Sequence, residues 1–204
     1  MNHPTLQLTQ QHYISEGRDR VCYLHPEDEN RCIKITKTGC DRILKRINRE
    51  IRYFEKYQRK GRYYPFLSAY YGPVETSMGE GHMFEIVRSY DGSVARTLQS
   101  YWCEKRELLD EAGEAELRDE ISTKVMEIYQ LCCANKIPLS DLNGENLLMV
   151  YENETDYSLK LIDGFGNAHF IKVMDWFQKT SSYKLTKQFN KMFDCLIGRP
   201  LVAR

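Results

Sequence analysis

At residues 88 to 93 the spacing of apolar residues passes from strand-like to helical, and this change constrains the fold more than any other feature of the chain. Before it the apolar runs are short. Thr5 to Tyr13, Arg20 to Leu24 and Arg31 to Thr36 are β-prone, and SEGRD and HPEDEN between them hold the Gly, Pro and acidic residues of turns. Three antiparallel strands are expected there, and two more at Ala69 to Val74 and His82 to Val87. Between the two groups Ile43, Ile47, Ile51 and Phe54 recur every three or four positions, which predicts a helix from Asp41 to Lys60, capped by Asp41 and ended by Gly61. After Tyr90-Asp91-Gly92 the pattern predicts a short helix capped by Ser93 and running through Trp102. A longer helix follows, striped by Leu117, Ile121, Val125, Ile128 and Cys132, with Pro138 just past its end. A last amphipathic region spans Ile171 to about Leu196, and its aromatic residues Phe170, Trp176, Phe177 and Tyr183 are expected in the core or at an interface, the core being favoured. The expected class is α+β in two lobes: residues 1–90 with five strands and one helix, and residues 91–204 mostly helical.

Charge and composition narrow the function classes. Lys plus Arg and Asp plus Glu each number 29, so no net field draws the chain to nucleic acid or to an anionic membrane, and neither is expected as a partner. With 204 residues, 42% of them hydrophobic, the chain can bury one substantial core or two small ones. The start, MNHPTLQLTQQ, lacks the basic head and apolar run of a secretory signal, and no stretch approaches the roughly 18 apolar residues of a membrane span. A cytoplasmic protein is expected. The seven Cys are scattered, and the adjacency of Cys132 and Cys133 rules out CxxC metal-ligand spacing, so reduced thiols are expected.

The segment IPLSDLNGENLLMV, residues 137 to 150, sets an Asp, two Asn, a Gly and a Glu between apolar residues. The runs LLMV and LKLI that follow suit a hairpin with Leu147 opposite Ile162, joined by eight polar residues. In that register Asn146 and Asp163 lie together at the open end, about 5 Å apart between Cβ atoms. An amide oxygen beside a carboxylate suits Mg²⁺, and Asp141 on the same loop faces the same volume. Taken singly, each of these residues also suits an ordinary turn. Glu50 stands inside the apolar stripe of its helix, which requires either a position at the rim or a cation, and Lys34, alternating with Ile on its strand, is the natural partner. Both side chains could instead reach solvent along their stems. Gly17, in the first hairpin, could lay backbone N–H groups over a phosphate, although one Gly stands where three form the usual signature.

In order along the chain, a glycine hairpin, Lys34, Glu50, Asp141 with Asn146, and Asp163 resemble the protein-kinase signature set. LSDLNGENLL is similar to the catalytic loop H-R-D-L-x-x-x-N, and LIDGFG to D-F-G with one extra Gly; MFEIV is similar to the strand that enters the hinge. More narrowly, CYLHPEDENRCIKI resembles the YrbL family of PhoP regulatory network proteins, and this likeness spans most of the chain. The resemblance implies a two-lobed kinase-like fold with a truncated helical second lobe, using ATP and Mg²⁺. It implies that Lys34 holds the α- and β-phosphates, Glu50 orients Lys34, Asn146 and Asp163 carry Mg²⁺, and Asp141 accepts the hydroxyl proton. Gly17 would cover the phosphates, Phe84 would take the gatekeeper position, and Glu85 and Val87 would lie against adenine.

The departures matter as well. Leu139 and Ser140 replace the His-Arg before the catalytic Asp, Asn143 stands where many kinases have Lys, and Gly164 lengthens the turn after Asp163. No A-P-E segment follows, so a platform for protein substrates is reduced or absent. Three readings stay open: transfer of the ATP γ-phosphate to a protein Ser or Thr or to a small hydroxylated molecule, a nucleotide-binding pseudokinase, and transfer of a nucleotide.

Overall fold

The computed structural model describes residues 5–37, 41–165, 178–198 and 201. It divides into two compact units, one of residues 1–63 and 68–87, the other of 64–67 and 88–204.

Among its described residues the first unit has a five-stranded antiparallel sheet and one α-helix. Its strands are β1 (Tyr13–Glu16), β2 (Arg20–His25), β3 (Asp28–Thr36), β4 (Tyr70–Thr76) and β5 (Gly79–Glu85), in the order β1-β2-β3-β5-β4. Cys22 pairs with Lys34 and Leu24 with Cys32 across β2 and β3, and Lys34 and Cys32 pair in turn with His82 and Phe84 on β5. Because strand side chains alternate, Arg20, Cys22, Cys32, Lys34, His82 and Phe84 share one face, while Ile33, Ile35 and Met83 take the other. The second face packs Ile33 and Ile35 against Leu8, with Leu6, Tyr23, Val74 and Met83 around them. On the first face Phe84 meets Phe54 of helix α1 (Asp41–Arg59) edge-on at 5.5 Å, and Tyr70 closes the cluster.

Helix α1 buries Ile47, Glu50, Ile51 and Phe54, at the three-and-four spacing the sequence predicts. It stops at Gly61, whose φ of +61° lets the Arg62 N–H turn back to the Tyr57 carbonyl at 2.9 Å. The expected first strand, Thr5 to Tyr13, is not one strand. A 3-10 turn at Gln10–His12 interrupts it, closed by the Thr9 N–H donating to His12 Nδ1 at 3.0 Å, and β1 starts only at Tyr13.

Among its described residues the second unit combines three α-helices with a three-stranded antiparallel sheet. Its strands β6 (Arg96–Thr97), β7 (Leu147–Tyr151) and β8 (Tyr157–Leu161) lie in that order, and its helices are α2 (Leu98–Arg106), α3 (Glu111–Asn135) and α4 (Gln178–Ile197). Tyr64–Leu67 joins this unit because the Leu161 N–H donates to the Phe66 carbonyl at 2.9 Å. Thr97, not Ser93, caps the short helix: its hydroxyl accepts the Ser100 N–H at 3.1 Å. Ser93 is instead held in a turn, its N–H and hydroxyl both donating to Asp91.

Helix α3 starts at Asp110, which accepts the Gly113 N–H at 2.9 Å, and buries Leu117, Ile121, Val125, Ile128 and Cys132 as expected. Helix α4 packs on it through Phe189, edge-on to Tyr129 at 5.2 Å, and through a 2.8 Å hydrogen bond between the Tyr129 and Thr186 hydroxyls. Phe189 and Phe193 are fully buried, but Tyr183 is 70% exposed and belongs to no core. Phe170, Trp176 and Phe177 lie outside the described residues. No helix among the described residues is long and apolar enough to cross a membrane.

Candidate active site

The hairpin that carries Asn146 and Asp163 closes one residue short of the expected register. Leu147 pairs with Leu161, not Ile162, and the ladder runs on to Tyr151 opposite Tyr157. The cause is the turn. Asn153 Oδ1 accepts the N–H groups of Thr155 and Asp156, and the Glu152 N–H donates to the Asp156 carbonyl, so residues 152–156 form a compact loop. Ile162 then donates its N–H to the Asn146 carbonyl at 3.1 Å, and Asp163 lies one residue beyond that rung.

Asn146 and the Asp163-Gly164 turn meet by a different route. The loop after α3 folds over Gly164: the Ser140 N–H donates to the Gly164 carbonyl at 2.9 Å, and Leu139 bridges to Phe165. Asn143 Oδ1 accepts the Asn146 N–H at 3.0 Å, which forms the 3-10 turn Gly144–Asn146 and aims the Asn146 amide. Asn146 Nδ2 donates to the Asp141 carbonyl at 2.9 Å. Asp163 Oδ1 accepts the N–H of Gly164 at 2.6 Å. These bonds tie Asp141, Asn146 and Asp163 into one loop cluster of the second unit.

Gly164 is the residue that permits this closure. Its φ is +86°, and a Cβ placed there would lie 2.3 Å from the Asp141 carbonyl oxygen and 3.4 Å from Asn146 Nδ2. The first figure is far inside van der Waals contact, and the backbone it meets cannot yield as a side-chain tip would. The glycine that reads in sequence as an insertion is therefore a steric requirement of the contact between this turn and the 137–146 loop. Gly164→Ala is expected to cost about 1–3 kcal/mol from the backbone conformation and more from the overlap, measured by thermal denaturation.

In the first unit Glu50 is 5% exposed and both of its oxygens accept from Arg20 Nη2 at 3.1 Å. Arg20, itself 9% exposed, is a partner of Glu50 that the sequence reading missed. Its signal was faint: a charged residue at the start of a strand resembles any outward-facing one. Lys34 is half-buried on the same face, its Nζ 4.7 Å from the Phe84 ring centroid, with the Arg20 guanidinium 6.0 Å from that ring. Glu85 Oε2 accepts the Ala69 N–H at 2.9 Å, so its carboxylate braces β5 to the segment before β4, and Val87 is buried two residues past the strand. Gly17 makes the first hairpin turn, its N–H donating to the Arg20 carbonyl at 2.9 Å. A Cβ on Gly17 would come no closer than 3.8 Å to Arg20, so the turn does not demand glycine.

The donor chemistry of the loop cluster fits magnesium. Asn146 spends its amide nitrogen on the Asp141 carbonyl, which leaves Oδ1 as its ligand oxygen, and Asp163 adds a carboxylate. Among the described residues no three His, Cys, Asp or Glu side chains group into a cage. Magnesium needs none, since it keeps waters and phosphate oxygens beside one or two protein ligands.

Comparison with known proteins agrees with this architecture. The family described as PhoP regulatory network protein YrbL matches residues 6–196. Over 198 residues the chain is 26% identical to the "Uncharacterized protein YrbL" of Escherichia coli (strain K12) and to that of Shigella flexneri, covering 97% of this chain and 89% of each relative. Among solved structures, a point mutant of the PknI kinase domain of Mycobacterium tuberculosis superposes with a TM-score of 0.56 at 14% identity, covering 94% of this chain and 74% of that domain. The fold is thus kinase-like.

Proposed function

We propose that this chain, which belongs to the PhoP regulatory network protein YrbL family, is a minimal phosphotransferase that moves the γ-phosphate of ATP to a hydroxyl group. The observation that carries the proposal is the closure of the 137–146 loop on the Asp163-Gly164 turn, which holds the backbones of Asp141, Asn146 and Asp163 in one loop cluster. Asp141 accepts the proton of the attacking hydroxyl. Asn146 and Asp163 hold Mg²⁺, which when bound neutralises the phosphate oxygens. Lys34 contacts the α- and β-phosphates, Glu50 sets its position through the charge network that includes Arg20, and Glu85 and Val87 meet adenine. Gly17 covers the phosphates only by backbone. Such catalysis is positioning and charge neutralisation, and needs no covalent step. With the His-Arg pair absent before Asp141, no phosphorylated activation loop is clamped at this position, and the activity is constitutive. The acceptor is a protein Ser or Thr or a small hydroxylated molecule.

A second reading, a pseudokinase that binds nucleotide for regulation, draws on two departures: Leu139 and Ser140 stand in place of the His-Arg pair, and the first hairpin turns on Gly17 alone. Incubating the protein with cell lysate, Mg²⁺ and ATP labelled at the γ- or the α-phosphate decides between them. Transfer of the γ-label supports the phosphotransferase. Binding of ATP with no label transferred supports the pseudokinase, and transfer of the α-label would instead mean nucleotide transfer.

A further inference from the structure

With one glycine in the first hairpin, something other than glycine must fix where that turn lies, and helix α1 supplies it. Asp19 and Arg20 are adjacent at the start of β2 and carry opposite charges, and Arg46 and Glu50 carry opposite charges one turn apart on α1. The Asp19 carboxylate pairs with Arg46, as the Arg20 guanidinium does with Glu50. Asp19 is 8% exposed although it stands in a hairpin turn, and a carboxylate is seldom buried so far without a cation to meet it. Arg18 Nε, at 3.7 Å, adds a second positive group beside it. Other bonds hold the backbone of the turn. The Gly17 N–H donates to the Arg20 carbonyl, the Lys37 N–H donates to the Asp19 carbonyl at 2.9 Å, and Lys37 Nζ pairs with Glu16 at 3.2 Å. None of these three involves the Asp19 side chain, which reaches out of the hairpin to α1.

We propose that the Asp19–Arg46 pair is a clamp that fastens the first hairpin to α1 and so positions the turn over the phosphates of ATP. The fastening stands by itself, and the role toward phosphates rests on the phosphotransfer reading. Asp19 acts through the hairpin backbone and touches no ligand, so it is a positioning residue. A buried ion pair suits this task because separating its partners leaves a charge without the water it gave up, which holds the two elements at one register. Three glycines would let a turn mould itself to its ligand, whereas a clamped turn has its place before the ligand arrives. Arg46 and Glu50 share one stretch of helix, so the hairpin and the residue that orients Lys34 move together.

The test uses the full chain with Asp19→Asn, Arg46→Gln and the two combined. Hydrogen exchange without nucleotide, read by mass spectrometry, should quicken across Tyr13 to His25 in each single variant and stay unchanged in peptides of the second unit. Calorimetry then compares ATP with adenosine, which lacks phosphates. The Kd for ATP should rise about tenfold in each single variant and no further in the double, the scale of coupling between groups in direct contact, while the Kd for adenosine stays at the wild-type value. Asp19→Glu should restore most of the ATP affinity, since half-buried Arg46 has room to follow the longer side chain. Where Arg46→Gln unfolds, Asp19→Asn and the double variant carry the comparison, because Arg46 reaches solvent once its partner is neutral. Wild-type exchange across the hairpin, additive losses in the double variant, or equal losses for ATP and adenosine would overturn the clamp. A wild-type protein that binds no ATP would instead sink the phosphotransfer reading, and the exchange comparison would still decide whether Asp19 and Arg46 fasten the hairpin.

Discussion

Asp141→Ala is expected to leave ATP binding in place and to slow γ-phosphate transfer roughly 100- to 10,000-fold, the usual contribution of a positioned base. The separation between binding and chemistry follows from how the loop is held. Backbone groups do the holding: the Asp141 carbonyl accepts from Asn146, and the neighbouring Ser140 N–H donates to Gly164. The Asp141 side chain is on an exposed residue, so its truncation leaves these bonds intact and should change stability by less than about 0.5 kcal/mol. Thermal denaturation with ATP and Mg²⁺ checks binding, and the γ-label assay checks transfer. Transfer at the wild-type rate would remove Asp141 from the mechanism.

Glu50→Ala should have the largest effect on stability. It strips the acceptor from a guanidinium that is 9% exposed, in a region closed by Phe54 and Phe84. Breaking a buried pair from one side costs about 3–5 kcal/mol, because the remaining charge keeps its desolvation penalty. For a chain of this size each kcal/mol lowers the melting temperature by about 2–4 °C, so a fall of roughly 6–20 °C is expected. Replacing both partners, Arg20→Leu with Glu50→Leu, should cost less than Glu50→Ala by itself, since no charge is then stranded. A double variant less stable than the single one would show that Arg20 has a further structural duty.

The parts of the fold that were legible in sequence are those governed by one periodic face. Since a long amphipathic pattern leaves little choice of face, helices α1 and α3 bury the stripes that their spacing predicts, except that Ile43 of α1 is only half-buried. Features decided by a few side-chain bonds were not legible. The hairpin register depends on Asn153 tightening its turn, the start of α2 on Thr97 capping where Ser93 also could, and the break before β1 on Thr9 closing onto His12. The candidate site divides in the same way. Asp141, Asn146 and Asp163 were named as candidates because short loops flank a hairpin, while Gly164 read as an insertion because its role is a clearance that no pattern expresses. Arg20 escaped notice because alternation within a strand says which face a residue takes but not which charge it meets across the sheet.

Magnesium dependence of ATP-induced stabilisation, compared between the wild-type protein and Asp163→Asn, tests the loop cluster most directly. With ATP at about 100 times its Kd, the wild-type protein should gain about 2.7 kcal/mol when Mg²⁺ is present. Most of that gain should vanish without the metal, and Asp163→Asn should lack it in either condition. Equal stabilisation with and without Mg²⁺ in both proteins would contradict a metal–nucleotide site at Asn146 and Asp163.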